Sequence, residues 1–169
     1  AIIYYYRNSL LVMTHDFISS IQTRKMEGEA LLAWGVLLGT IPVGLAGLIF
    51  KDSIELNLRT IEVIAFATIF FGLLLGFSDL LNRFLSRSRE IIRGSDILII
   101  GCFQALALIP GTSRSGITIT AALLIGLSRS LSVKFSFLLS IPVISIAMLV
   151  KTFDLANQVN NVDWSLLLL

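Results

Sequence analysis

The chain has 169 residues, 56% hydrophobic and 14% charged, with a mean hydropathy of +0.89. A soluble domain carries about 25% charged residues, so this chain is too apolar to solvate its own surface and reads as a membrane protein. A formal charge of +2, with basic residues not interleaved with aromatics, excludes a nucleic-acid surface. The single cysteine, Cys102, permits no internal disulfide and offers no metal-binding spacing; in its apolar run it is expected to be a small buried hydrophobe.

Both ends read as cut. Ala1–Met13 is expected to be the tail of a span that started upstream, and Trp164–Leu169 the opening of another, which makes the sequence an internal fragment. Thr14–Glu29 follows as a polar segment, in which His15 is expected to be a solvated loop histidine. A membrane helix needs ~20 apolar residues, and Ala30–Phe50 and Ile61–Asn82 both supply them. Glycines at spacings of three and four in both let helices approach closely in lipid. Pro42 is tolerable there if neighbouring groups satisfy the carbonyl it frees. Glu62 suits the positive end of its helix, and Asp79 is placed at the interface.

Gly94–Ser128 differs from these spans. Gly94–Ile109 makes roughly 24 Å of helix, slightly short of a crossing, and Ile117–Ser128 is shorter still. The polar stretch Pro110–Gly116 lies between them. Irregular backbone at membrane depth requires a protein or water lining, so a re-entrant hairpin or a broken helix pair is expected over 94–128. Val133–Phe153, with Pro142 near its middle, is a third span, and Asn157–Asn161 is a polar loop. The fold class is therefore all-α, a polytopic membrane helix bundle, and 1–169 is treated as a single transmembrane domain.

Basic residues set the orientation. Arg83, Arg87, Arg89 and Arg93 fill one loop; Arg24 and Lys25 lie in another on the same side. Lys51–Thr60, on the opposite side, balances Lys51 and Arg59 with Asp52 and Glu55. The Arg-rich side is expected to be cytoplasmic. Re-entry at 94–128 would bring Arg129 and Lys134 to that side as well, and the charge balance favours it mildly. The four arginines have a plain topological role on this reading.

Arg114 is the residue that most needs explaining. A charged side chain inside a membrane segment is costly and points to function. Its neighbours Thr112, Ser113, Ser115, Thr118 and Thr120 bear hydroxyls, and the nearest acids in sequence, Glu90 and Asp96, stand at the far end of the segment. Such an arginine is poised for an external anion. Gly111 and Gly116 allow tight backbone and close approach. A helix beginning at Ile117 would put Ser115 or Gly116 near its N-cap, where free N–H groups and the helix dipole favour anions. The guanidinium fork matches phosphate oxygens, and a hydroxyl becomes a nucleophile if a base stands close. The bland alternative is that Ser-Arg-Ser-Gly only caps a helix while Arg114 snorkels. Gln104, a buried amide ten residues earlier, divides evenly between a helix-to-helix hydrogen bond and a part in the site.

The run Gly101-Cys-Phe-Gln-Ala-Leu-Ala-Leu-Ile-Pro-Gly-Thr-Ser-Arg-Ser-Gly-Ile-Thr-Ile119 closely resembles the second signature of the undecaprenyl-diphosphate phosphatases, the bacitracin-resistance membrane phosphatases of bacteria. The similarity continues through Gly126-Leu-Ser-Arg129 and Phe135-Ser-Phe-Leu-Leu-Ser-Ile-Pro142, with Leu38-Gly-Thr-Ile-Pro-Val-Gly44 upstream. The resemblance implies removal of the terminal phosphate of undecaprenyl diphosphate, which recycles the lipid carrier of cell-wall synthesis at the bacterial cytoplasmic (inner) membrane. It implies an inverted-repeat architecture with a site facing outward. It assigns catalytic roles to Arg114 and Ser113. Diphosphate contacts would fall to Gly111, Thr112, Ser115, Gly116 and Thr118, with Gln104 at the position of the family's polar helix residue. The family's first signature, a glutamate-rich helix before a Ser-Ser-Thr-Gly-His turn, is not found here. It implies a divalent metal, magnesium or calcium, whose ligands would precede Ala1, so none is expected in this fragment, which alone should be inactive. His15 is outside that motif and receives no role. The expected partners are undecaprenyl diphosphate and the bilayer, without nucleic acid; a homodimer is allowed. The competing readings are a secondary transporter with an anion site at a broken helix and a scaffolding membrane protein.

Overall fold

The computed structural model describes residues 2–23, 29–50, 54, 58–86 and 88–157. Expectations for Arg24, Lys25, Lys51, Asp52, Glu55, Arg87, the polar loop beyond Asn157 and the opening span at Trp164–Leu169 lie outside those residues. Three described helices are long and apolar enough to cross a membrane: Ala30–Ile49, Ile61–Phe84 and the Arg129–Val150 part of a longer helix, with mean hydropathies of 2.0, 2.1 and 2.2. The chain is an all-α polytopic membrane protein.

The first two helices, α1 (Ile2–Tyr5) and α2 (Arg7–Thr23), are joined almost without a break, because Tyr6 N–H bonds Ile2 O and Leu10 N–H bonds Tyr6 O. The helix continues to Thr23, well into the stretch expected to be a polar segment. Thr14, Ser20 and Thr23 return their hydroxyls to carbonyls of their own helix, which keeps them compatible with it. His15 is therefore helical, though its side chain is 84% exposed. From this helix Phe17 meets Trp34 at 4.9 Å between ring centroids, and Ser20 Oγ accepts from Trp34 Nε1. Asp16 Oδ2 accepts from Glu29 N–H at 2.9 Å.

Helix α3 (Ala30–Ile49) contains Pro42. Two of its glycines face inward: Gly35 lies against Ile97 and Phe135, and Gly39 against Gly101. Helix α4 (Ile61–Phe84) is capped by Thr60, whose hydroxyl accepts from Val63 N–H. Gly72 and Gly76 of α4 meet nothing within 4 Å among the described residues, so they mark no close helix contact there.

The segment expected to be a hairpin or broken pair consists of α5 (Gly94–Ala105), a 3₁₀ turn at Leu106–Leu108 and α6 (Arg114–Leu124). The α-helical part of the first arm thus ends before Ile109, tightening in its last turn as helix ends often do. The outer ends of the two arms meet. Arg89 N–H donates to Gly126 O and Ser128 N–H to Arg89 O, both at 3.0 Å. The Arg89 guanidinium forks onto Asp96 at 3.1 and 3.3 Å and also reaches Ile125 O at 2.8 Å. The chain leaves the hairpin beside the point where it entered. Asn82, at the C-terminal end of α4, donates to Leu123 O and Leu127 O and secures the second arm.

Helix α7 (Arg129–Asn157) closes the bundle. Phe135, Leu138 and Leu139 pack with Ile97, Ile100, Ala121, Ala122 and Val36 in the core. In lipid such packing gains dispersion contacts rather than hydrophobic transfer. Cys102 departs from expectation: it is exposed, because Ile97, Ile100, Gly101 and Gln104 occupy the buried face of α5 and Cys102 falls on the other.

Candidate functional site: the tip of the hairpin

The tip lies at the end of the bundle opposite the arginine clamp. Leu108 reaches Gly47 in the last turn of α3. Thr68, in the second turn of α4, donates its hydroxyl to Gly111 O at 3.1 Å and to Ile64 O at 2.8 Å. Gly111 has φ +92°, and a Cβ there would run into the carbonyl of Ile64. Both conditions require glycine. Thr112 N–H closes the turn on Ile109 O at 3.1 Å.

The second arm begins earlier than expected, at Arg114 rather than Ile117, and its N-cap is Ser113 rather than Ser115 or Gly116. Ser113 Oγ accepts from Gly116 N–H at 3.2 Å, while Ser113 O accepts from Ile117 N–H at 2.9 Å. A serine three residues before an accessible N–H is a strong cap, and it outcompetes the later candidates. The shift moves Arg114 into the first helical turn.

That turn has the makings of an anion site. The amides of Arg114 and Ser115 come too early in the helix for intrahelical partners. The Arg114 side chain is half-buried, and no hydrogen bond or ion pair engages its guanidinium among the described residues. The hydroxyls of Ser113 and Ser115 stand 3.4 Å apart beside it. Free N–H groups, a helix dipole, an arginine and two serine hydroxyls thus belong to one helical turn, the groups that suit an anion. No acid or histidine contacts Ser113 among the described residues, so they supply it with a capping and donor role but no base.

The structure gathers Gly111, Thr112, Ser113, Arg114, Ser115 and Gly116 at the tip but separates two other expected site residues from them. Thr118 turns inward. Its hydroxyl contacts Arg114 O at 3.0 Å, Ser115 O at 3.1 Å and Ser136 Oγ at 2.6 Å. Gln104 is fully buried between α5 and α3 and donates to Gly39 O at 3.4 Å. Its Oε1, like Thr112 Oγ1, has no partner among the described residues. Ser136 was not singled out from the sequence, where it is one of four serines at i, i+4 spacing and carries no distinguishing mark.

Other charged groups collect at the base. Asp79, expected at the interface, pairs with Arg129 and lies 3.9 Å from Arg83. Lys134 meets Glu29 at 2.6 Å. Arg89 has more than a topological role, since it ties the two arms. Among the described residues no three histidine, cysteine, aspartate or glutamate side chains cluster as metal ligands. They therefore offer no complete ligand set of that kind by themselves.

Fold and tip together define a polytopic all-α membrane protein whose hairpin ends in a serine-capped helix start. The family model described as "Bacitracin resistance protein BacA" matches residues 1–169. The chain belongs to that family. It is 54% identical over 167 residues to the undecaprenyl-diphosphatase of Ruthia magnifica subsp. Calyptogena magnifica, covering 99% of this chain and 63% of that protein. It is 52% identical to the undecaprenyl-diphosphatase of Vesicomyosocius okutanii, covering 100% of this chain and 64% of the relative. It is also 52% identical to undecaprenyl-diphosphatase 2 of Stutzerimonas stutzeri, covering 98% and 62%. The chain thus spans somewhat less than two thirds of the length of these relatives.

Proposed function

We propose that the whole protein to which this chain belongs hydrolyses undecaprenyl diphosphate to undecaprenyl phosphate and inorganic phosphate. The observation that carries this reading is the Arg114 guanidinium, half-buried beside free helix-start amides and without a protein partner among the described residues. Family membership and the names of the relatives support it.

In the reaction, water adds across the terminal P–O–P linkage: the bond from the terminal phosphorus to the bridging oxygen breaks, and the lipid monophosphate leaves. Charge builds on the equatorial oxygens of the transferred group. Arg114 and the N–H groups of Arg114 and Ser115 would stabilise that charge. Such preorganised donors commonly contribute most of the rate enhancement. Ser113 and Ser115 would add hydroxyl donors, Gly111 would let the backbone approach the substrate, and Gly116 would free Ser113 to cap the turn. Thr112, with an unengaged hydroxyl, would serve the same pocket. Thr118 and Gln104 would act from behind it. A divalent cation would be held by residues outside this sequence.

The hairpin would enter and leave the cytoplasmic (inner) membrane on one face. The base, with Arg83, Arg89, Arg93, Arg129 and Lys134, would be cytoplasmic and the tip would open to the other side. The test is Arg114→Ala in the full-length protein in proteoliposomes, with phosphate release and substrate uptake both measured. Loss of release by about 100-fold or more is expected. Near-normal release would refute the assignment, and uptake without release would turn it to a transporter.

A further inference from the structure

Ser128, just before α7, and Ser132, Ser136 and Ser140 within it are buried serines at i, i+4 spacing. Their hydroxyls behave differently. Ser128 caps α7 by accepting from Leu131 N–H, Ser132 donates to Ser128 O, and Ser140 donates to Phe137 O. These three bonds stay within the α7 segment. Ser136 alone among them reaches another helix, with Oγ 2.6 Å from Thr118 Oγ1 and 3.3 Å from Ser115 O.

We propose that Ser136 is a positioning residue for the anion-binding turn, acting with Thr118 to fix the carbonyls of Arg114 and Ser115. The two hydroxyls have two protons to share. Either Thr118 donates to Ser136 and Ser136 to Ser115 O, or Ser136 donates to Thr118 and Thr118 to Arg114 O or Ser115 O. In each arrangement a carbonyl of the first turn of α6 is bonded by a buried pair anchored on α7. The peptide plane of the Arg114 carbonyl carries the free N–H of Ser115, and that of the Ser115 carbonyl carries the Gly116 N–H that Ser113 caps, so fixing either carbonyl orients a free donor or the cap beside it. Ser113 and Arg114 at the turn have no comparable tie to a neighbouring helix among the described residues. The inference rests on the phosphatase reading and deepens it, because misplacing such donors by a fraction of an ångström penalises the transition state more than ground-state binding.

The test compares the full-length wild type with Ser136→Ala, Ser140→Ala, Thr118→Val and the Ser136→Ala/Thr118→Val double variant in phosphate release from undecaprenyl diphosphate, with the thermal midpoint of each. Ser136→Ala is expected to lower kcat about tenfold with KM and thermal midpoint little changed. Ser140→Ala should resemble wild type, and the double variant should lose less than the product of the single losses. A Ser136→Ala kcat within twofold of an active wild type would overturn the inference, as would an equal loss in Ser140→Ala. A folded wild type that releases no phosphate overturns the phosphatase reading and this inference with it.

Discussion

Gly101 and Gly39 touch backbone to backbone. A Cβ built on Gly101 would lie 2.8 Å from Gly39 O and 3.0 Å from its Cα. The first arm of the hairpin is thereby pressed onto α3 at the level where Gln104 bonds the same carbonyl. Gly101→Ala should force the helices apart and destabilise the protein by about 2 kcal/mol, within the usual range for overpacking. Thermal unfolding in detergent measures it. Gly72→Ala, in open space on α4 among the described residues, should be neutral or slightly stabilising.

Gly111→Ala tests the tip separately. The left-handed φ and the carbonyl of Ile64 both oppose a side chain there. The tip should shift while the base stays clamped, so phosphate release should fall at least tenfold with a much smaller change in thermal midpoint. An unaltered rate would show that the tip conformation is dispensable.

Arg89→Ala should cost about 2 kcal/mol, because it leaves the Asp96 carboxylate, 6% exposed, without its guanidinium. Arg89 itself is one-third exposed, which moderates the loss. Adding Asp96→Asn removes the stranded charge, so the double variant should be less damaged than the sum of the single ones. A double-mutant cycle on thermal or denaturant unfolding decides this, and strict additivity would mean that the pair is not coupled.

Asp16 gives a dependence on pH. The bond from Glu29 N–H, helped by His15, holds its carboxyl below the ordinary value of 3.8. A depressed folded-state pKa stabilises above the unfolded value and ceases to do so as pH falls through the folded value. The stability difference between wild type and Asp16→Asn should therefore be constant at neutral pH and shrink only below about pH 3.8. A difference that shrank already at neutral pH would sink this reading.

Much of this fold is legible in the sequence because lipid imposes simple length and composition rules. The limits of α3 and α4 follow from where apolar residues begin and end. Helix α2 escapes those rules: Thr14, Ser20 and Thr23 look like loop residues, yet they satisfy their hydroxyls on their own helix. At the tip, Arg114 and its glycines declare themselves by being polar at membrane depth. Helix α6 starts three residues before the expected Ile117, since Ser113 and Ser115 are equally good caps by residue type and only backbone geometry selects between them. Cys102 and Ser136 show the same limit from opposite directions. Whether either faces lipid or protein depends on the rotation of its helix, and small residues spread around α5 and α7 leave that rotation undefined by hydropathy.

The paired backbone at Arg89 and Leu127 has a mechanical consequence. It joins the entrance and exit of the hairpin, so the intervening chain cannot slide one arm past the other without breaking the pairing. With its base closed by that pairing and its tip bonded to Thr68 of α4, the hairpin is a span resting on two piers.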